Sequence, residues 1–196
     1  MNFETLDAKA VSEMLPERPD CAHKGDFGKL LFLCGSRGFT GAAALAAMGA
    51  LRTGAGLVYL GVPESIYPIV ATKLTEPVVF PLPDQGGMLS EATVKEIDCY
   101  INRADAVLIG PGLGRSHGVF SIVAYILENY HGPVILDADG INVLKSHKDI
   151  LRSRTGITIL TPHEGEFERI GGKAQTDRAA SAIQFSREFG VITVLK

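Results

Sequence analysis

Residues 106–114 read AVLIGPGLG: a short apolar run that breaks into the loop Gly110-Pro111-Gly112-Leu113-Gly114. The same break occurs twice more. Val134, Ile135 and Leu136 run into Asp137-Ala138-Asp139-Gly140-Ile141-Asn142, and the run over 157–160 ends in Thr161-Pro162-His163-Glu164-Gly165-Glu166. Apolar runs of this length, bounded by turn residues and separated by helix-length segments, read as parallel strands of one buried sheet. All three loops then lie beyond the carboxyl ends of their strands, the edge at which open α/β sheets bind ligands. Gly-rich backbone, carboxylates, an amide and an imidazole are therefore expected along one edge.

The alternation extends outward in both directions. Upstream come an apolar run over 30–34, a small-residue helix over 41–53, a run over 57–62, a helix over 64–73 and a short run near Val78. A helix over 90–103 precedes the quoted stretch, and helices are expected at 118–130, 140–147, 162–170 and 176–189. The plan predicts an α/β fold with a mainly parallel central sheet and helices on both faces. Residues 1–28, interrupted by Pro16, Pro19 and Gly25 after a short helix over 6–15, read as a lead-in too small for a second domain. Residues 29–196 read as one domain. The run over 191–196 has the composition of a further strand, and the chain stops there. Such an edge needs cover from another segment, which predicts a fold lacking its C-terminal portion.

Composition narrows the function classes. A hydrophobic content of 46% over 196 residues suffices for a sizeable core. The net charge of −3, with Lys and Arg scattered singly, argues against a nucleic-acid partner. Cys21, Cys34 and Cys99 are odd in number and show no C-x-x-C spacing, which argues against a disulfide framework or a structural zinc and fits a reducing cytoplasm. No run is long enough to span a bilayer, and Met1-Asn2-Phe3-Glu4 opens no basic-then-apolar leader, so no membrane partner is expected.

Several positions stand out chemically. Gly35-Ser36-Arg37-Gly38-Phe39-Thr40-Gly41 has the spacing G-x-x-G-x-x-G, neither a dinucleotide fingerprint nor a P-loop, and reads equally as an anion-holding loop and as a turn. The three glycines at 110, 112 and 114 leave almost no side-chain cover, so backbone can touch a ligand directly. Asp139 fits a helix N-cap, whereas Asp137 is free to orient a ligand hydroxyl or reach a metal-bound water, with Asn142 a turn further on. Thr161 reads as an N-cap, Pro162 as the first helical residue and Glu164 as the partner in a capping box. His163 is left to contact a ligand or simply to face solvent. Glu166 and Arg169 are spaced to pair on the same helix. The remaining histidines have no neighbours at metal-ligand spacing, and no G-x-S-x-G elbow occurs. These readings reach a nucleotide-sized ligand without reaching a reaction.

His23-Lys24-Gly25-Asp26-Phe27-Gly28-Lys29, Gly41-Ala42-Ala43 and the three loops at 110–114, 137–142 and 161–166 together resemble the NAD(P)H-hydrate dehydratases, over about 23–196. The resemblance implies a ribokinase-like three-layer fold and a hydro-lyase of metabolite repair. It implies dehydration of NADHX or NADPHX back to NADH or NADPH with Mg2+ and ADP or ATP, by phosphorylation of the ring hydroxyl and loss of phosphate. Ala42, Gly112, Gly114 and His163 match positions that contact the hydrated dinucleotide; Asp137 and Asn142 match the lining of that site. Lys196 matches the first residue of a K-G-x-x-T segment holding the adenine nucleotide. Relatives continue to a G-[ST]-G-D segment whose Asp is the expected catalytic base, so that base is expected beyond Lys196 and these 196 residues alone are expected to turn over little or no substrate. A homo-oligomer such as a tetramer and a separate epimerase acting on the same metabolite are also implied. The alternatives are a vitamin-precursor kinase of the same fold and a noncatalytic nucleotide-binding module.

Overall fold

The expected apolar runs all form strands in the computed structural model, which describes residues 4–173 and 177–196. The start of the last expected helix, at Thr176, and the lead-in's first three residues lie outside the described residues. Along the chain run α1 (Ala8–Met14), β1 (Lys29–Leu33), α2 (Thr40–Arg52), β2 (Leu57–Pro63), α3 (Tyr67–Lys73) and β3 (Val78–Leu82). A two-stranded hairpin, β4 (Asp84–Gln85) and β5 (Met88–Leu89), leads to α4 (Thr93–Ile101), β6 (Ala106–Ile109), α5 (His117–Asn129), β7 (Val134–Leu136), α6 (Asp139–Asn142) and α7 (Ile150–Ser153). The chain then forms β8 (Thr158–Leu160), α8 (Glu164–Arg169), α9 (Arg178–Phe189) and β9 (Ile192–Thr193).

Seven strands make one parallel sheet in the order β3-β2-β1-β6-β7-β8-β9. The order steps outward in both directions from β1 and β6, so the topology switches between those two strands. A ligand-binding crevice is therefore predicted where the β1 and β6 loops diverge. Alternate residues of β1 serve opposite faces. Leu31 and Leu33 join a core packed under α4, α5, α8 and α9, while Phe32 and Cys34 join a second core under α2 and α3. Burial on both faces explains why these strands read as continuous apolar runs. No helix among the described residues is long and apolar enough to cross a membrane.

Four local expectations change. The expected helix over 90–103 begins at Thr93, because the Ser90 and Thr93 hydroxyls both donate to the Pro83 carbonyl and hold the preceding residues in a turn. The β4–β5 hairpin was not expected; Gly86 and Gly87, at φ 64° and 84°, supply the two positive-φ residues that a tight hairpin turn demands. The expected helix over 140–147 keeps one α-turn, α6, and then continues as turns. Residues 64–73 split into a 3-10 turn (Glu64–Ile66) and α3, with Pro68 in the first turn of α3 where its missing N–H costs nothing.

Candidate functional site

The loop after β6 is held against the loop after β1 by three hydrogen bonds. Gly110 N–H donates to the Leu33 carbonyl (3.2 Å), Gly35 N–H to the Pro111 carbonyl (2.8 Å) and the Ser36 hydroxyl to the Gly112 carbonyl (2.7 Å). At Gly112 (φ 67°) a Cβ would sit 2.8 Å from the Ala42 methyl. Glycine at one position and alanine at the other thus let backbone and helix α2 approach closely, which is the role of the small-residue run at the start of that helix. The hairpin packs on the same loops, with Met88 Sδ 2.6 Å from where a Gly114 Cβ would stand and Arg37 N–H donating to the Gly87 carbonyl (2.8 Å).

Between the two carboxylates of the β7–α6 loop lies Ala138, at φ 48° and ψ −113°, the one non-glycine residue with positive φ among the described residues. Such a conformation costs about 1–3 kcal/mol and is kept only where its surroundings enforce it. It sends Asp137 and Asp139 to different neighbours. Asp137 Oδ1 accepts from the Thr161 hydroxyl (2.7 Å) and from Lys196 Nζ (2.8 Å), and Lys196 N–H donates to the Pro162 carbonyl (2.9 Å). Asp139 accepts from Gly114 N–H (2.9 Å), Arg115 Nε (3.2 Å) and Asn142 Nδ2 (3.1 Å). The expectation that Asp139 caps α6 is corrected: Asp139 is the first helical residue, Ala138 occupies the cap position, and the carboxylate ties two loops together instead.

The capping expectation at 161–164 is also corrected. His163 is the N-cap of α8, its Nδ1 accepting from Gly165 N–H (3.1 Å), and the buried Glu166 closes the box by accepting from His163 N–H (3.0 Å). Thr161 is unavailable as a cap because its hydroxyl is committed to Asp137. With Nδ1 accepting, Nε2 carries the ring proton and lies 3.3 Å from Glu166 Oε1. The imidazole therefore has a capping duty while 58% of its side chain stays exposed to the edge. The expected Glu166–Arg169 pair is replaced too: Glu166 serves His163, and Arg169 donates to Asn142 Oδ1. Of the candidate residues, Ala42, Gly112 and Gly114 are adjacent, Asn142 joins them through Asp139, and Asp137 meets Lys196. His163 lies two residues beyond Thr161, on the side of Asp137 and Lys196. Ser36, Asp139, Thr161 and Arg169, which complete these networks, were not singled out as site residues.

The Carb_kinase family, described as NAD(P)H-hydrate dehydratase, matches residues 30–196. The chain belongs to the NAD(P)H-hydrate dehydratase family. It is 34% identical, over all of its length and 67% of the relative's, to the ADP-dependent (S)-NAD(P)H-hydrate dehydratase of Bacillus subtilis. It is 36% identical over its whole length to the bifunctional NAD(P)H-hydrate repair enzyme Nnr of Moorella thermoacetica, of which it covers 38%. The chain thus spans little more than a third of such bifunctional relatives. The solved B. subtilis ADP/ATP-dependent NAD(P)H-hydrate dehydratase, co-crystallised with ATP/Mg2+, superposes with a TM-score of 0.76 at 31% identity, covering 96% of this chain and 64% of that one. A ribokinase-like superfamily protein of Enterococcus faecalis superposes at 0.83 with 21% identity, covering all of this chain and 68% of that one, which shows the ribokinase-like fold.

Within this member of the family, no three of His, Cys, Asp and Glu cluster as metal ligands among the described residues. A Mg2+ arriving with nucleotide phosphates needs only one or two protein oxygens, and Asp137, half of whose oxygens are uncommitted, fits that requirement. Cys34 lies at the end of β1 beneath this edge. Burial, with a lesser contribution from the Asp137 charge, pushes its thiol far above the ordinary range, so it is an inert floor rather than a nucleophile.

Proposed function

We propose that this chain supplies the dinucleotide-binding and nucleotide-binding edge of an ADP- or ATP-dependent NAD(P)H-hydrate dehydratase that returns NADHX or NADPHX to NADH or NADPH. The observation that carries the reading is the contact of Lys196 Nζ with Asp137 at 2.8 Å, beside the glycine loop and Ala42 in a chain of this family. On the dinucleotide side, Ala42, Gly112 and Gly114 offer a surface of backbone and a methyl group, Asn142 is held by Asp139 and Arg169, and His163 presents a ring whose tautomer its cap sets. On the nucleotide side, Lys196 is a mobile point charge suited to phosphate, parked on Asp137 until an anion draws it away.

Mg2+ with ADP or ATP, when bound, supplies the transferable phosphoryl group and neutralises its charge. The chain's own residues orient the dinucleotide and hold the nucleotide's phosphates in line with the ring hydroxyl. In this reading residues 29–196 are the binding domain and 1–28 its lead-in. The protein works in the cytoplasm as a homo-oligomer, alongside an epimerase activity on the same metabolite.

The test uses the protein as its gene encodes it, with NADHX or NADPHX, Mg2+ and either nucleotide, following recovery of the reduced nicotinamide absorbance. Nucleotide-dependent recovery is expected. Accumulation of a stable phosphorylated product would instead make the protein a kinase, and binding of both ligands without turnover would make it a binding module.

A further inference from the structure

The glycine loop has two ways to meet an anion. Among the described residues, the N–H groups of Gly112 and Arg115 have no hydrogen-bond partner, whereas Gly114 N–H between them is committed to Asp139 Oδ2 at 2.9 Å. Arg115 gives its Nε to Asp139 Oδ1 at 3.2 Å and keeps its side chain 57% exposed, which leaves the two terminal nitrogens of its fork open. Asp139 is itself only 20% exposed and takes a third donor, Asn142 Nδ2, so its orientation is fixed from both sides. The carboxylate reaches this loop because the strained Ala138 turns the chain there.

A loop carrying three glycines is intrinsically mobile, and an anion site built from it loses affinity to the entropy of ordering. A half-buried carboxylate that fixes one amide and one guanidinium removes much of that cost before the ligand arrives. We propose that Asp139 is a positioning residue of the dinucleotide site. It holds the glycine loop and Arg115 so that the free Gly112 and Arg115 amides and the Arg115 fork form a preset cradle for a phosphate of the dinucleotide. Guanidinium is suited to this role because its fork matches two phosphate oxygens while Nε remains engaged.

The inference rests on the dinucleotide reading above, and a direct binding measurement separates the two. NADPH, whose own fluorescence reports binding, is titrated into the full-length wild-type protein and into Asp139→Ala, Asp139→Asn and Arg115→Ala. Absence of binding by wild type would overturn the dinucleotide reading itself. Given wild-type binding, Asp139→Ala and Arg115→Ala are each expected to raise Kd roughly tenfold or more, the loss of a hydrogen bond to a charged group. Asp139→Asn, which keeps an acceptor for Gly114 but not the ion pair, falls between. In the turnover assay KM for the hydrate rises while kcat stays within about twofold, because the Lys196 side is untouched. A wild-type Kd in either alanine variant overturns the proposal. Arg115 is half-exposed, so its variant remains informative even where Asp139→Ala folds poorly.

Discussion

The two ends of the sheet are built on opposite principles. At the carboxyl edge the loops after β1, β6, β7 and β8 are tied to one another by named hydrogen bonds, and polar groups converge there. At the amino edge the lead-in stands off the sheet around an open cavity of about 1150 Å3, lined by Leu15, Pro16, Phe27, Leu51 and the arginines 18 and 52. The usual expectation places a ligand in the largest apolar hollow, provided that a few polar groups converge there. Here the hollow and the convergence are at different ends. Convergence decides, because specificity and charge stabilisation come from preset donors and acceptors, whereas an apolar hollow offers only area.

Paired glycines test this difference most severely. A Cβ at Gly110 would stand 1.8 Å from the Asp137 carbonyl, at φ 135°, and one at Gly56 would stand 1.7 Å from the Lys24 carbonyl. Gly110→Ala and Gly56→Ala should each destabilise by on the order of 3 kcal/mol. For a chain of this size that is a fall in Tm of roughly 6–12 °C, readable by calorimetry. Below both transitions the variants should part: Gly110→Ala loses dinucleotide and nucleotide affinity, while Gly56→Ala keeps both. Equal loss of binding would mean that the amino edge belongs to the site.

Charge removal gives the next largest effect. Lys196→Met should lower affinity for ADP or ATP by about 10–100-fold, the loss of a charged contact to phosphate. Stability should change by less than about 1 kcal/mol, since the Lys196–Asp137 pair is half-exposed on the lysine side. Isothermal titration checks the first statement and thermal melting the second. A variant that binds nucleotide as wild type does would remove Lys196 from the site and leave its bond to Asp137 as a surface ion pair. At the amino edge, Arg18 donates to the Gly54 carbonyl (2.6 Å) and lies 4.1 Å over the Phe27 ring. Arg18→Ala should cost about 1 kcal/mol of stability and leave kcat and KM unchanged, sharpening the contrast between a stabilising and a functional arginine.

The strands, their mainly parallel arrangement and the edge at which the loops meet were legible because burial on both faces writes each strand as an unbroken apolar run. The capping error at 161–164 came from a competing contact far along the chain. Thr161-x-x-Glu164 and His163-x-x-Glu166 both fit a capping box, and the choice was made by Asp137, 24 residues away, which takes the Thr161 hydroxyl. Asp139 looked like a cap because Asp at a helix start usually is one. Its real role depends on the positive φ of Ala138, and alanine carries no sequence signal for that conformation. The hairpin escaped because its strands are two residues each, although Gly86-Gly87 was a readable turn signal.

Thiol chemistry gives the smallest and cleanest comparison of the two edges. Cys21 is exposed and lines the amino-edge cavity, Cys99 is exposed on α4, and Cys34 is buried under the carboxyl edge. Only a thiolate attacks a disulfide reagent, and burial raises the Cys34 pKa, with the Asp137 charge adding to the rise. The two exposed thiols should react rapidly with a chromogenic disulfide, while Cys34 stays protonated and silent until the protein unfolds. Two rapid equivalents followed by a third on adding denaturant is the expected count. Labelling the first two should leave nucleotide and dinucleotide affinity intact, because neither lies at the loops proposed to bind them. Three rapid equivalents in the native protein would mean that the carboxyl edge opens to solvent on the timescale of the reaction, and the preset character claimed for that edge would fail with it.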